Sequence, residues 1–350
     1  MAIETTNFSL RDSLKARIAE FLLEEGFENA DKLKIGLLEI VNAIADYREE
    51  GNALFPEVLI TSNPELLKTI PHKRLRICDV DISEQSFRVA LKLCAPLASD
   101  GWLICLELTN DNMGISLATA EISPTSPSMY SQAVGQIVDG DSVGPVALVR
   151  NIGTRTVELV GNKSRIEISL TLTTQEQRGF NEVELLAEAA SSRCEDALRV
   201  PVRTFLAKVI DDALKCGHGN LIAVVEDDEE KIKILMDRID SRAGVYLPEP
   251  IDFANLVYES EALANSEGSA GLRSFASVFI AMLNSDGVTV ITDRGRVLAY
   301  HLLVRTQGAE GEQAEGGART KAFNTMTELG LFVACLFKSQ DGRIKIWQTQ

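Results

Sequence analysis

Apolar residues recur every three to four positions near the amino terminus, a period that predicts helices. Residues 9–25 place Leu14, Ile18 and Phe21 on one face, and a second helical pattern covers residues 34–47. From about residue 74 the alternation becomes that of strands, with a helix over 83–95 that stops at Pro96. The strands predicted in the amino-terminal half are 57–61, 75–80, 102–108, 115–122, and an antiparallel meander of 146–151, 156–160 and 164–173.

The pattern changes again near Val200-Pro201, after a helix predicted over 182–198. We therefore divide the chain into residues 1–199 and residues 200–350. Strands are predicted in the second part at 220–225, 288–292, 295–304, 331–337 and 343–347. Helical patterns at 202–214, 274–283 and 321–329 separate these strands. Strands that alternate with helices predict an α/β fold with a mixed sheet flanked by helices, preceded by an α/β or α+β module.

The two halves share one local order of sequence patterns. Residues 93–122 and residues 280–304 each run from an apolar stretch into Ser-Asp-Gly, then a strand, a polar turn and a second strand. This repetition raises the hypothesis that the amino-terminal half is a diverged duplicate of the carboxy-terminal half.

Composition narrows the classes of function. The 350 residues carry a net charge of −16, which disfavours nucleic acid and anionic membranes as partners. No apolar run is long enough for a transmembrane helix, and the first residues lack the pattern of a signal peptide. The six cysteines are scattered without metal-binding spacing, so we expect reduced thiols in a cytoplasmic protein.

Candidate chemistry concentrates in the last 65 residues. Asp286, Gly287 and Val288 close an apolar run and open a strand. Thirty residues later, residues 316–321 read Gly-Gly-Ala-Arg-Thr-Lys, a glycine-rich loop with two cations ahead of a predicted helix. A carboxylate, main-chain N–H groups and cations are the groups that hold a metal–phosphate ligand. The simpler interpretation is a hairpin turn and solvated surface cations.

Residues 200–350 resemble the catalytic domain of the diadenylate cyclase family. The resemblance rests on four landmarks in order: the helix and strand over 208–225, Asp286-Gly287-Val288, the run from Gly317 to Ala322, and Ser339 with residues 340–342. In that family two ATP-loaded protomers face each other and form cyclic di-AMP. A homo-oligomer and an ATP, related adenine nucleotide or cyclic dinucleotide ligand are therefore expected.

The resemblance implies a role for each matched position. Asp286 would bind Mg2+ or Mn2+ and help to deprotonate the attacking hydroxyl, while Arg319 and Lys321 would hold phosphate oxygens. The residues expected to line the nucleotide are Gly287, Val288, Gly317, Ala318, Thr320 and Ser339.

Three departures from the family pattern affect the expected activity. Thr320 replaces a histidine, Lys321 replaces an arginine, and Gln340 replaces a carboxylate. A lysine ammonium cannot reproduce bidentate contact with phosphate. We therefore expect a nucleotide sensor. An active diadenylate cyclase and a structural protein with a vestigial pocket are the alternatives.

The remaining polar candidates carry less information. His218 at a helix-to-strand corner is interpreted as structural, and His72 follows a proline in a predicted loop. His301 lies in a strand pattern and could face either the pocket or the core. The acidic run 226–230 is interpreted as a solvated helix start.

Overall fold

The structure is a computed structural model. It describes residues 10–28, 30–69, 72–120, 123–126, 144–153, 155–170, 182–216, 219–238, 244–263, 266–304, 317–339 and 344–349. The chain forms two compact units, unit 1 with residues 1–122 and 127–173, and unit 2 with residues 123–126 and 174–350. Across the described residues, none of the helices combines the length and the apolar character that a membrane crossing needs.

Unit 1 begins with two helices and continues into a sheet. Its helices are α1 (Leu10–Glu25), α2 (Ala30–Ile44), α3 (Pro64–Thr69) and α4 (Glu84–Cys94). Its strands are β1 (Arg48–Glu49), β2 (Asn52–Ala53), β3 (Val58–Thr61), β4 (Lys73–Asp81), β5 (Leu103–Thr109), β6 (Asn112–Thr119), β7 (Val146–Gly153), β8 (Thr156–Gly161) and β9 (Arg165–Ser169).

The strands of unit 1 form a seven-stranded sheet in the order β4-β6-β5-β3-β7-β8-β9, beside the small β1–β2 pair. β3 is parallel to β5 and antiparallel to β7. Residues from α1, α2 and α4 pack on one face of the sheet in a cluster that includes Ile18, Leu37 and Phe87. Leu66 and Leu67 of α3 pack on the other face. The continuous burial of β3 follows from this cover on both sides.

Unit 2 repeats the plan of helices followed by a sheet. Its helices are α5 (Glu182–Ser191), α6 (Asp196–Cys216), α7 (Glu229–Arg238), α8 (Phe253–Leu263), α9 (Ser266–Leu283) and α10 (Ala318–Glu328). Its strands are β10 (Asn220–Val225), β11 (Val245–Asp252), β12 (Val288–Thr292), β13 (Arg296–Leu302), β14 (Phe332–Lys338) and β15 (Ile344–Gln348).

The sheet of unit 2 has the order β11-β13-β12-β10-β14-β15. Its central strand β10 is parallel to β12 and antiparallel to β14. Leu206 of α6 and Phe279 of α9 belong to the core on one face. Phe323 and Met326 of α10, with Leu235 of α7, belong to the core on the other face. The mixed α/β sheet flanked by helices that the sequence predicts is confirmed.

The two sheets share one topology. In each, a central strand is followed by a helix, an edge strand, a helical segment, a parallel neighbour of the central strand, and an antiparallel hairpin partner. Ser99-Asp100-Gly101 and Ser285-Asp286-Gly287 both precede the parallel neighbour, β5 or β12. The similarity that the sequence shows over some 30 residues therefore extends to the order of six strands in each sheet, as an internal duplication would produce, whereas β9 of unit 1 has no counterpart among the described strands of unit 2.

Two boundaries differ from the sequence predictions. The helix predicted over 182–198 is wrong as one element, because α5 ends at Ser191 and α6 begins at Asp196. The Ser191 hydroxyl donates to the carbonyl of Ala187 at 2.8 Å, a local bond that competes with helix continuation. The change of pattern at Val200-Pro201 lies inside α6, where Pro201 stands in the second turn and has no main-chain N–H to donate to the preceding turn.

Candidate functional site

The turn that carries Asp286 requires glycine at the next position. Gly287 has φ +92°, a backbone conformation that residues with a side chain rarely adopt. A Cβ there would lie 2.7 Å from the carbonyl oxygen of Leu302 and 2.8 Å from the carbonyl carbon of His301. The absence of a side chain at Gly287 therefore lets β13 approach, and the turn presents Asp286 at the amino end of β12.

Arg319 reaches Asp286 from a distant part of the sequence. Its Nη2 donates to Oδ1 of Asp286 at 3.0 Å, and the two side chains are 30% and 71% exposed. Ion pairs this accessible contribute at most about 1 kcal/mol to stability. Arg319 can therefore exchange the carboxylate for a ligand oxygen at small cost.

The start of α10 lies beside the turn that carries Asp286. Gly317 is the N-cap, with extended backbone and no side-chain cap, and Arg319 belongs to the first turn. The first N–H groups of a helix have no intrahelical partner and favour anions. The sequence predicted that this helix begins at residue 321. In the structure it begins at Ala318, so Ala318, Arg319 and Thr320 belong to the helix and not to the preceding loop.

Gly219 provides the surface against which Arg319 packs. Gly219 has φ +135°, and a Cβ there would lie 2.9 Å from Nη1 of Arg319 and 3.2 Å from the carbonyl oxygen of Lys338. Sequence reasoning did not include Gly219 among the site residues. Its position directly before the buried strand β10 is a signal that could have identified it.

His301 holds the other side of the Asp286 turn. It has φ +58°, which is uncommon for a residue with a side chain. Its Nδ1 is in hydrogen-bond contact with the carbonyl oxygen of Asp286. Because a carbonyl only accepts, Nδ1 is the protonated nitrogen. The sequence left the orientation of His301 open, and the structure places its ring at the turn.

The end of β14 meets the same edge of the sheet. Lys338 pairs with Asn220 of β10, is only 2% exposed, and donates from Nζ to the carbonyl oxygen of Leu214 near the end of α6. Ser339 follows directly and is half-buried. The described parts of the four landmarks therefore lie at one end of the central strands, while residues 340–342 of the last landmark lie outside the described residues.

The remaining predicted residues differ in exposure. Lys321 and Ala318 are exposed on the first turn of α10, and Thr320 is half-buried. Val288 is only 1% exposed and belongs to the core with Leu302, so its side chain packs inward.

Asp286 is the carboxylate of this turn that could bind a divalent cation. Mg2+ commonly takes one or two protein carboxylates and completes its shell with phosphate oxygens and water. Asp286, with 71% of its side chain exposed, fits the role of such a single carboxylate ligand once Arg319 is displaced.

No protein-family model matches this chain, and a search of curated proteins finds no significant match.

Proposed function

We propose that unit 2 binds an adenine nucleotide or cyclic dinucleotide and serves as a sensor. The observation that carries the proposal is the ion pair of Arg319 with Asp286 at the first turn of α10. It brings a cation, a carboxylate and a helix amino terminus together from segments that are 33 residues apart.

Recognition would centre on phosphate. Arg319 and Lys321 supply two positive charges, and Gly317 leaves the main chain of the first turn open to an approaching oxygen. A guanidinium offers several N–H groups in one plane, which suits phosphate oxygens. Gly219 leaves room for the Arg319 guanidinium and Gly287 leaves room for β13, so both glycines act by positioning the groups that would contact the ligand.

The departures from the family pattern favour ligand binding over efficient catalysis. Phosphoryl transfer depends on positioned charges that act in the transition state, each worth about 3 kcal/mol in well-studied cases. Thr320 and Lys321 stand where the resemblance expects a histidine and an arginine. Ground-state binding tolerates these changes better than the transition state does.

A divalent metal, when bound, would neutralise phosphate charge, and Asp286 is the residue that would hold it. Arg319 would then be free to contact another phosphate oxygen. Unit 1 would supply a regulatory surface or a dimer contact, and a homo-oligomer is part of this proposal. A cytoplasmic location agrees with the ligand and with the free cysteines, which include Cys94, Cys105 and Cys335.

Calorimetric titration with ATP, AMP and cyclic di-AMP, with and without Mg2+ or Mn2+, tests the proposal. We expect saturable binding of at least one ligand, and binding weakened in Arg319→Ala but not in Arg273→Ala, which removes an exposed arginine from α9. No binding of any of the three ligands would favour the structural alternative.

A parallel assay for cyclic di-AMP separates sensing from synthesis. The sensor proposal predicts no robust formation of cyclic di-AMP from ATP and Mn2+ or Mg2+. Robust turnover that Asp286→Asn abolishes would instead identify an active cyclase.

A further inference from the structure

Unit 2 contains a hollow at the opposite end of its central strands from Asp286. A cavity of about 580 Å³ lies where β10 and β12 end, lined by residues that include Asp227 and Arg294. Asp286 precedes β12, whereas Arg294 follows it. Ligands of α/β sheets commonly bind beyond the carboxyl ends of parallel strands, in cavities of about 300–1,000 Å³.

Two arginines of this cavity are fixed by carboxylates. Nη1 of Arg296 donates to both carboxylate oxygens of Asp227, at 3.0 and 3.2 Å. Arg193 contacts Glu226 at 2.9 Å and the buried Asp293 at 3.2 Å. A guanidinium has five N–H donors, and these contacts occupy only some of them. Both arginines are therefore held in position with donors left for a ligand.

Arg294 is the most available cation in the cavity. Its Nε lies 3.9 Å from Oδ2 of Asp227, and its side chain is 59% exposed. This distance is at the limit of an ion pair and beyond a hydrogen bond. A ligand oxygen can therefore contact Arg294 without breaking a short native bond.

Two helices begin at the cavity wall. Leu198 lies in the first turn of α6, and Ala254 and Asn255 lie in the first turn of α8, where the Asp252 carboxylate accepts from the main-chain N–H of Asn255 at 2.9 Å as a cap. Helix amino termini carry partial positive charge. Carboxylates and arginines are equally numerous in the wall, while the whole chain has a net charge of −16. An anion is therefore repelled less strongly at this cavity than at the average surface of the chain.

Unit 1 provides an internal comparison. It has a hollow of about 550 Å³ at the corresponding place, lined by Ser62 after β3 and Asn110 after β5. The cation in that wall is Lys32, which is paired with Asp111 at 2.7 Å. The hollow is thus a property of the repeated fold, and the cluster of arginines is a property of unit 2.

We propose that this cavity binds a small organic anion that is separate from the nucleotide. Arg294 would contact its carboxylate or phosphate oxygens, supported by Arg193 and Arg296. Tyr258 lines the cavity with 56% exposure, and its ring would cover the apolar part of the ligand.

Titration of the full chain with citrate and with phenyl phosphate, at constant ionic strength maintained with sodium chloride, tests this proposal. We expect saturable binding of at least one probe, weakened about tenfold in Arg294→Ala, the scale of one hydrogen bond to a charged group. Arg273→Ala should bind the probes as the wild type does. The two probes separate a carboxylate ligand from a phosphate ligand.

Binding of neither probe overturns the proposal, as does unchanged binding by Arg294→Ala. Loss of probe binding in Arg319→Ala would place the anion at the Asp286 edge and also overturns it. Failure of the nucleotide titrations does not affect this result, because the two sites share no residue.

Discussion

Asn151 and Lys338 perform the same structural task in the two units. Each lies at or near the end of a strand that runs antiparallel to the central strand of its sheet. Nδ2 of Asn151 donates to the carbonyls of Ile44 and Ala45 at the end of α2, and Nζ of Lys338 donates to the carbonyl of Leu214 near the end of α6. Both satisfy helix carbonyls that lack an intrahelical partner.

Lys338→Met should destabilise unit 2, because methionine preserves apolar volume but leaves the Leu214 carbonyl buried without its donor. The expected loss in free energy of unfolding is about 1–3 kcal/mol, measured by chemical denaturation. Lys345→Met changes an exposed lysine on the neighbouring strand β15 and should stay within about 0.5 kcal/mol of the wild type. Equal effects of the two substitutions would contradict this role for Lys338.

Gly287→Ala should destabilise the Asp286 turn, since alanine is strained at φ +92° and its Cβ would meet the Leu302 carbonyl. We expect a loss of about 1–3 kcal/mol in the free energy of unfolding. Gly271→Ala is the matched control, because a Cβ there meets nothing within 4 Å inside α9 and should stabilise by about 0.5–1 kcal/mol. A neutral effect of Gly287→Ala would show that β13 can move away.

The Asp286–Arg319 pair should matter little for stability and much for ligand affinity. A double-mutant cycle of Asp286→Asn and Arg319→Ala should give a coupling of about 0.2–1 kcal/mol in denaturation experiments. Nucleotide affinity of Arg319→Ala should fall about tenfold or more, measured by calorimetry. A large coupling in stability with unchanged affinity would identify a structural ion pair.

Asp293 should make stability depend on acid pH. Burial raises the pKa of Asp293, while the hydrogen bond from the Asp227 main-chain N–H opposes that shift. A raised pKa in the folded state favours the protonated form, so the contribution of Asp293 is greatest below its ordinary pKa and declines as pH rises through the folded value. The free energy of unfolding of the wild type minus that of Asp293→Asn should therefore fall as the pH rises from below the ordinary pKa of an aspartate to above it. A difference that grows with pH would contradict the dominance of burial.

The parts of the fold that the sequence predicted well are those set by local pattern. The strand predicted at 288–292 is β12, and the helix predicted over 83–95 contains α4, with Ser83 as its N-cap. The sequence did not predict β11, because Pro248 and Pro250 interrupt the alternation of apolar and polar residues that is typical of a strand. An edge strand tolerates these prolines, and the pairing register shifts between Tyr246 and Ile251.

The candidate site was only partly predictable, for a different reason. Asp286, Arg319 and Ser339 could be selected from motifs, because their residue types indicate phosphate chemistry. Gly219 and His301 act through contacts with residues distant in sequence, the Arg319 guanidinium and the Asp286 carbonyl. Such contacts depend on which strands become neighbours, and a single sequence does not specify that locally.

The repeated topology also has a consequence for synthesis on the ribosome. Unit 1 draws all seven strands of its sheet from residues 58–169, before any strand of unit 2 is translated. Unit 1 can therefore complete its sheet while unit 2 is still emerging, which limits mispairing between two sets of strands with the same order. Vectorial translation thus limits the exchange of strands between two units of similar topology.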